Sequence, residues 1–154
     1  MDCPPLLFWL LYSALTLALC WYDYRTGMLP DRLTCPLLWT GVLWHLCLHQ
    51  AQLAQAMWGA IMGYSIFALI YWSYRGLRHR EGLGYGDVKF TAALGAWHGW
   101  QMLPALILIA SLLALLFVML AALQQRSVQK LKNPLPFGPF LATAGFILAG
   151  TQWR

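Results

Sequence analysis

A chain of 154 residues that is 60% hydrophobic and only 10% charged lies far above the apolar share of a soluble domain. Its nine tryptophans suit a protein with two lipid–water interfaces, which makes the chain an integral membrane protein, a single all-α domain over residues 1–154 with almost no soluble part. The net charge of +5 has no soluble basic face to occupy, which excludes nucleic acid as a partner.

Apolar runs mark the helices in chain order. The first is Pro5 to Tyr22; its flank, Met1 to Pro5, carries only Asp2, so it lacks the positive n-region of a removable signal peptide. The second spans Thr34 to His49 and the third Ala54 to Tyr74. The next apolar stretch, Val88 to Leu123, would reach about 54 Å as one helix, against a hydrocarbon core of about 30 Å. "GAWHGWQMLP", Gly95 to Pro104, contains the break, giving a short fourth helix, Val88 to Trp97, and a full fifth, Leu103 to Leu123. The short helix must tilt little, thin the membrane, or stop inside a protein-lined cavity. The sixth is Phe137 to Thr151.

Lys and Arg set the orientation. Arg25 and Arg32 follow helix one; Arg75, Arg78, Arg80 and Lys89 follow helix three; Arg126, Lys130 and Lys132 follow helix five. Nine of the ten cations thus fall on one side, with Arg154 alone on the other. The expected topology is six transmembrane segments with three loops in the cytoplasm and both termini on the opposite side. The same cations offer contacts to anionic lipid. The four cysteines, Cys3, Cys20, Cys35 and Cys47, include no CxxC pair, which argues against zinc-ribbon or thioredoxin-like chemistry; they read as small apolar membrane residues.

Only five acids occur: Asp2, Asp23, Asp31, Glu81 and Asp87. An ionisable group beside a membrane segment marks function by default. Asp2 is terminal and solvated. Asp31 opens helix two after Pro30, where it is expected to cap the first free N–H groups. Glu81 lies among Arg78, His79 and Arg80 and is expected in a solvated ion pair. Asp87 also reads as a cap, here for "VKFTAALGAW", yet a cap needs no loop such as "GLGYG" before it. Gly82, Gly84 and Gly86 let the backbone turn and another backbone come close. The pattern is neither a dinucleotide fingerprint nor a phosphate loop. Asp23 stands at the C-terminal end of helix one, where the helix dipole disfavours an anion. By the expected topology it shares the cytoplasmic face with Asp87. Two carboxylates in a dry cleft share a proton; one then serves as base on a water and the other as acid toward a substrate carbonyl. That aspartic-protease chemistry needs no metal and no cofactor. His45 and His49 have metal-like i, i+4 spacing but no third ligand in view and read as an interfacial pair; His98 reads as a polar turn residue. Lys89, two residues past Asp87, should point to the opposite side of the helix, toward lipid phosphate or substrate.

Taken together, "YDYRTGMLPDRLT" with "PLLWTG", "EGLGYGDVKF" with "LGAW", and "PLPFGPFLATAG" resemble, in order, the motifs of the type IV prepilin peptidases, GxGD intramembrane aspartic proteases. The resemblance runs from about Trp21 to Gly145. It implies a multi-pass enzyme of the bacterial inner membrane whose active site faces the cytoplasm. Its partner would be a prepilin or type II secretion pseudopilin precursor, whose short basic leader is cut off after a glycine. Asp23 and Asp87 then correspond to the catalytic pair, and Gly84 and Gly86 to the motif glycines that let the substrate backbone approach; Asp31 is not the family's catalytic acid. Larger members carry a segment with two CxxC pairs and also methylate the new N-terminus, an activity not expected here. Two other readings compete: a non-catalytic membrane scaffold on the same fold, and a small ion carrier, for which the helices offer few further polar groups.

Overall fold

In a computed structural model, which describes residues 4–78, 84–124 and 136–152, every element is helical: α1 (Pro4–Thr26), α2 (Asp31–Leu48), α3 (Leu53–Arg78), α4 (Tyr85–His98), α5 (Leu103–Gln124) and α6 (Gly138–Gln152). The six expected helices are all present, and short 3-10 turns at Gln50–Gln52 and Trp100–Met102 join α2 to α3 and α4 to α5. The second turn falls inside the expected break.

Among the described residues three spans are long and apolar enough to cross a membrane: Pro5–Thr26, Gln50–Leu77 and Trp100–Leu123; Gly138–Thr151 is apolar but shorter. Their outward side chains match this reading. Leu6, Leu10, Leu17, Leu69, Leu108, Leu115 and Leu123 are all more than half exposed, a distribution suited to contact with lipid.

α4 is the opposite case. From Phe90 to Gly99 every residue is buried, and α4 packs against α2, α3 and α6. At about 1.5 Å per residue its 14 residues reach only about 21 Å, and its far end, His98, is buried within the protein. Protein thus lines α4 from Phe90 to Gly99, and the chain is exposed again at Trp100. Two features admit a helix so deeply. Ala92, Ala93 and Ala96 keep its surface narrow, and at Gly95 its backbone meets that of α3 at Gly59, where a Cβ on either residue would collide with the other's carbonyl oxygen. Small residues at such crossings let helices approach where no hydrophobic effect drives them together.

The core lies between α4 and the helices around it. Tyr12, Leu19, Leu37, Phe90, Leu94, Trp97, Leu106 and Leu141 are fully or almost fully buried in one cluster, with Trp44 beside them. Phe67, Tyr71 and Val88 form a smaller cluster near the start of α4, and Phe137 packs against both.

Candidate active site

α1 runs one turn further than its apolar stretch suggests. It ends where Gly27, at φ 64°, turns left-handed and donates its N–H to the Asp23 carbonyl at 2.8 Å, a common helix termination. Asp23 consequently sits in the last turn of α1, not beyond it. Its side chain, only 5% exposed, turns inward and accepts the Gly138 N–H through Oδ2 at 2.8 Å. The anion's unfavourable place at the C-terminus of α1 is thus offset by the N-terminus of a different helix, α6, whose dipole has the opposite sense. No local pattern shows this bond, because its partners are 115 residues apart.

α4 begins three residues earlier than expected, and this changes the role of Asp87. Gly84 is the N-cap, without any side-chain cap bond, and Asp87 lies inside the first turn, its N–H donating to the Gly84 carbonyl at 3.0 Å. The capping reading of Asp87 is corrected accordingly. Its carboxylate is 7% exposed, and one turn on, the Thr91 hydroxyl donates to the Asp87 carbonyl at 2.8 Å.

A second contact fixes the two acids at one level. The Tyr12 hydroxyl lies 3.3 Å from His98 Nε2. Asp23 is 11 residues after Tyr12 on α1, and Asp87 is 11 residues before His98 on α4. Eleven residues make about three full turns, about 16.5 Å, so each aspartate lies on the same face of its helix as its aromatic counterpart and equally far from it. At the Tyr12 level the gap between the helices is filled by rings: Tyr12 and Trp97 have centroids 4.9 Å apart and Tyr12 and Phe146 5.4 Å. At the aspartate level a cavity of about 310 Å³ opens instead. Asp23 and Asp87 both line it, with Gly27, Met28 and Leu29 from the α1–α2 turn and Gly84, Tyr85, Gly86 and Lys89 from α4. Met28 is 72% exposed and marks the outer rim.

Gly84 and Gly86 thus lie in the wall of the cavity, and Gly86 has a steric reason to lack a side chain: a Cβ there would stand 2.7 Å from Leu29 Cβ. Gly82 and Glu81 lie outside the described residues. Lys89 does not point away from the site. Its flexible stem carries Nζ along the cavity wall to Asp31 Oδ1 at 2.6 Å and above the Tyr85 ring at 5.1 Å. This also corrects Asp31: Pro30 is the N-cap of α2, no side chain caps it, and Asp31 instead ties α2 to α4. His98, expected as a polar turn residue, is buried in contact with Tyr12. His45, expected at an interface, is buried, with Nδ1 3.0 Å from the Gly41 carbonyl. Among the described residues no group of three or more His, Cys, Asp or Glu side chains could hold a metal ion.

An all-helical membrane protein with two buried aspartates at one end, lining one cavity behind a glycine-bearing helix start, belongs to a narrow class. A model of the type IV leader peptidase family matches residues 9–119, and the chain belongs to that family. Leader peptidase HopD of Escherichia coli is 56% identical over 141 residues, 92% of this chain and 90% of the relative. Leader peptidase HopD of Salmonella typhimurium is 55% identical over 148 residues, 96% and 92% of the two chains. The prepilin leader peptidase/N-methyltransferase of Dickeya chrysanthemi is 49% identical over 136 residues, which cover 88% of this chain but 47% of that longer protein. No solved structure matches.

Proposed function

We propose that the protein is an intramembrane aspartic endopeptidase that removes the leader peptide from type IV prepilins or type II secretion pseudopilins. The observation that carries this reading is the pairing of Asp23 and Asp87, both buried, on the wall of one cavity, in a chain of the leader peptidase family.

The pair holds one proton. The ionised carboxylate takes a proton from a water, whose oxygen attacks the scissile carbonyl carbon, while the protonated one gives its proton to the carbonyl oxygen. The resulting tetrahedral diol collapses: the C–N bond breaks, the leaving amine takes up a proton, and a new carboxyl terminus remains on the leader. The reaction consumes one water and returns the dyad to its starting protonation. Gly84 leaves the wall beside Asp87 free of a side chain, where an extended peptide backbone can lie close to it, while the space beside Gly86 is taken by Leu29.

The cations at the same end of the molecule support a membrane placement. Arg25 at the end of α1, Arg32 at the start of α2, Arg75 near the end of α3 and Lys89 at the start of α4 all belong to the end that holds the aspartates. By the positive-inside rule that end faces the cytoplasm of the bacterial inner membrane. The six helices then alternate across it, with α4 as the short segment and both termini on the far side.

The test is leader removal from a precursor pilin co-expressed with the protein, read as a gel shift. Wild type is expected to cut, and Asp23→Asn and Asp87→Asn are not. Cleavage that survives either substitution overturns the dyad. A wild type that leaves intact a precursor cut by a reference processing enzyme points instead to a non-catalytic scaffold on the same fold.

A further inference from the structure

The third motif, the Pro-Phe-Gly-Pro entry to α6, has no part in the chemistry above, yet it touches the site. In the first turn of a helix the N–H groups lack intrahelical partners. At the start of α6, Pro139 has no N–H and the Phe140 N–H goes to the Phe137 carbonyl at 3.1 Å. Gly138 is the donor left over, and Asp23 Oδ2 takes it at 2.8 Å. The contact is also as close as it can be: a Cβ on Gly138 would stand 2.5 Å from Asp23 Oδ2 and 2.9 Å from its carboxyl carbon. No larger residue fits without moving the carboxylate. The preceding residue, Phe137, packs against the cluster of Phe67, Tyr71 and Val88, and Val88 directly follows Asp87. One dipeptide therefore holds the Asp23 side chain and abuts the segment that carries Asp87.

We propose that Gly138 is a positioning residue for the cleavage reaction: its N–H and its missing side chain together fix the Asp23 carboxylate at its working place opposite Asp87. The proposal rests on the reading of Asp23 and Asp87 as the reacting pair. Since Gly138 acts through Asp23 and not on the peptide, its loss should slow turnover and leave substrate binding intact.

The experiment uses the purified full chain in detergent micelles with a precursor pilin. Gly138→Ala is expected to lower kcat about 100-fold, the usual cost of misplacing a reacting group by about 1 Å, while KM changes less than about threefold. Gly150→Ala, whose added Cβ meets no atom within 4 Å, should cut at the wild-type rate. Thermal unfolding supplies a second readout. The destabilisation caused by Gly138→Ala should largely vanish in an Asp23→Ala background, because the clashing carboxylate is gone. If wild type cuts, Asp23→Asn does not, and Gly138→Ala keeps the wild-type kcat, the positioning role is overturned while the dyad stands. Equal destabilisation in both backgrounds also overturns it, since the methyl would then act on something other than Asp23. A wild type that does not cut removes the cleavage reading, and with it this one.

Discussion

Gly95→Ala should be among the most damaging single-methyl additions in the protein. The added Cβ would lie 2.6 Å from the Gly59 carbonyl carbon and 3.3 Å from the Ala60 nitrogen, with the Gly59 carbonyl oxygen closer still. All of these are backbone atoms, so no side chain can rotate away. To bring the carbon–carbon contact alone from 2.6 Å to the 3.4 Å of ordinary contact, α3 and α4 must part by at least about 0.8 Å at their crossing, and overpacking of this kind typically costs about 1–3 kcal/mol. Because α4 is enclosed by α2, α3 and α6, it cannot yield without disturbing the whole core, and Asp87 rides on the same rigid helix two turns away. Thermal unfolding in detergent, with leader cleavage measured in parallel, is the assay. The variant should unfold at a clearly lower temperature and turn over more slowly. If Gly95→Ala lies within about 0.5 kcal/mol of wild type, the usual range for a change far from any packed contact, the close crossing is not what seats α4.

Three further substitutions probe the supports around the cavity. Gly41→Ala would set a methyl 2.7 Å from Trp97 Cδ1 and push on an indole whose N–H donates to the Leu37 carbonyl at 2.8 Å; a loss of about 1–3 kcal/mol should appear in thermal melts, and an unchanged melting temperature would refute the fit. Tyr12→Phe removes the hydroxyl that meets His98 and should cost about 0.5–1.5 kcal/mol, with the aromatic packing retained; a stability equal to wild type would show that the contact contributes nothing. Asp31→Asn breaks the pair with Lys89, whose side chains are 31% and 60% exposed, so its effect should stay below about 1 kcal/mol and shrink further in high salt; a loss well beyond that would mean the pair does more than join α2 to α4.

The helices were legible because their apolar runs are long and their breaks are marked by polar residues, Gly and Pro. What escaped were the contacts that decide what each acid does. Asp31 looked like a cap because it follows Pro30 at a helix start; its real partner, Lys89, is 58 residues away. Asp87 looked like a cap because it stands just before "VKFTAALGAW", which put the expected start of α4 after Gly86, a residue type that disfavours helix interiors. Tertiary packing overrides that preference: Gly86 lies inside the first turn because only glycine fits against Leu29. His98 likewise looked like a turn residue because Gly99 follows it, although it closes a helix that ends inside the protein. Asp23 was legible as an anion at the wrong end of a helix dipole, but the chain alone could not name Gly138 as its partner.

That compensation also explains why the site stands at the ends of helices and not in their middles. A mid-helix aspartate in α1 would find every neighbouring backbone N–H already bonded within its helix and no donor to accept from. At the level of Asp23 the first turn of α6 presents a free N–H, and the turn at Gly27 brings Met28 and Leu29 round to wall the space. Three turns deeper, the same gap between α1 and α4 is closed by Tyr12, Trp97 and Phe146. A buried carboxylate needs hydrogen-bond partners, and an unspent N–H at a helix start supplies one, which suits Asp23 to the level where α6 begins.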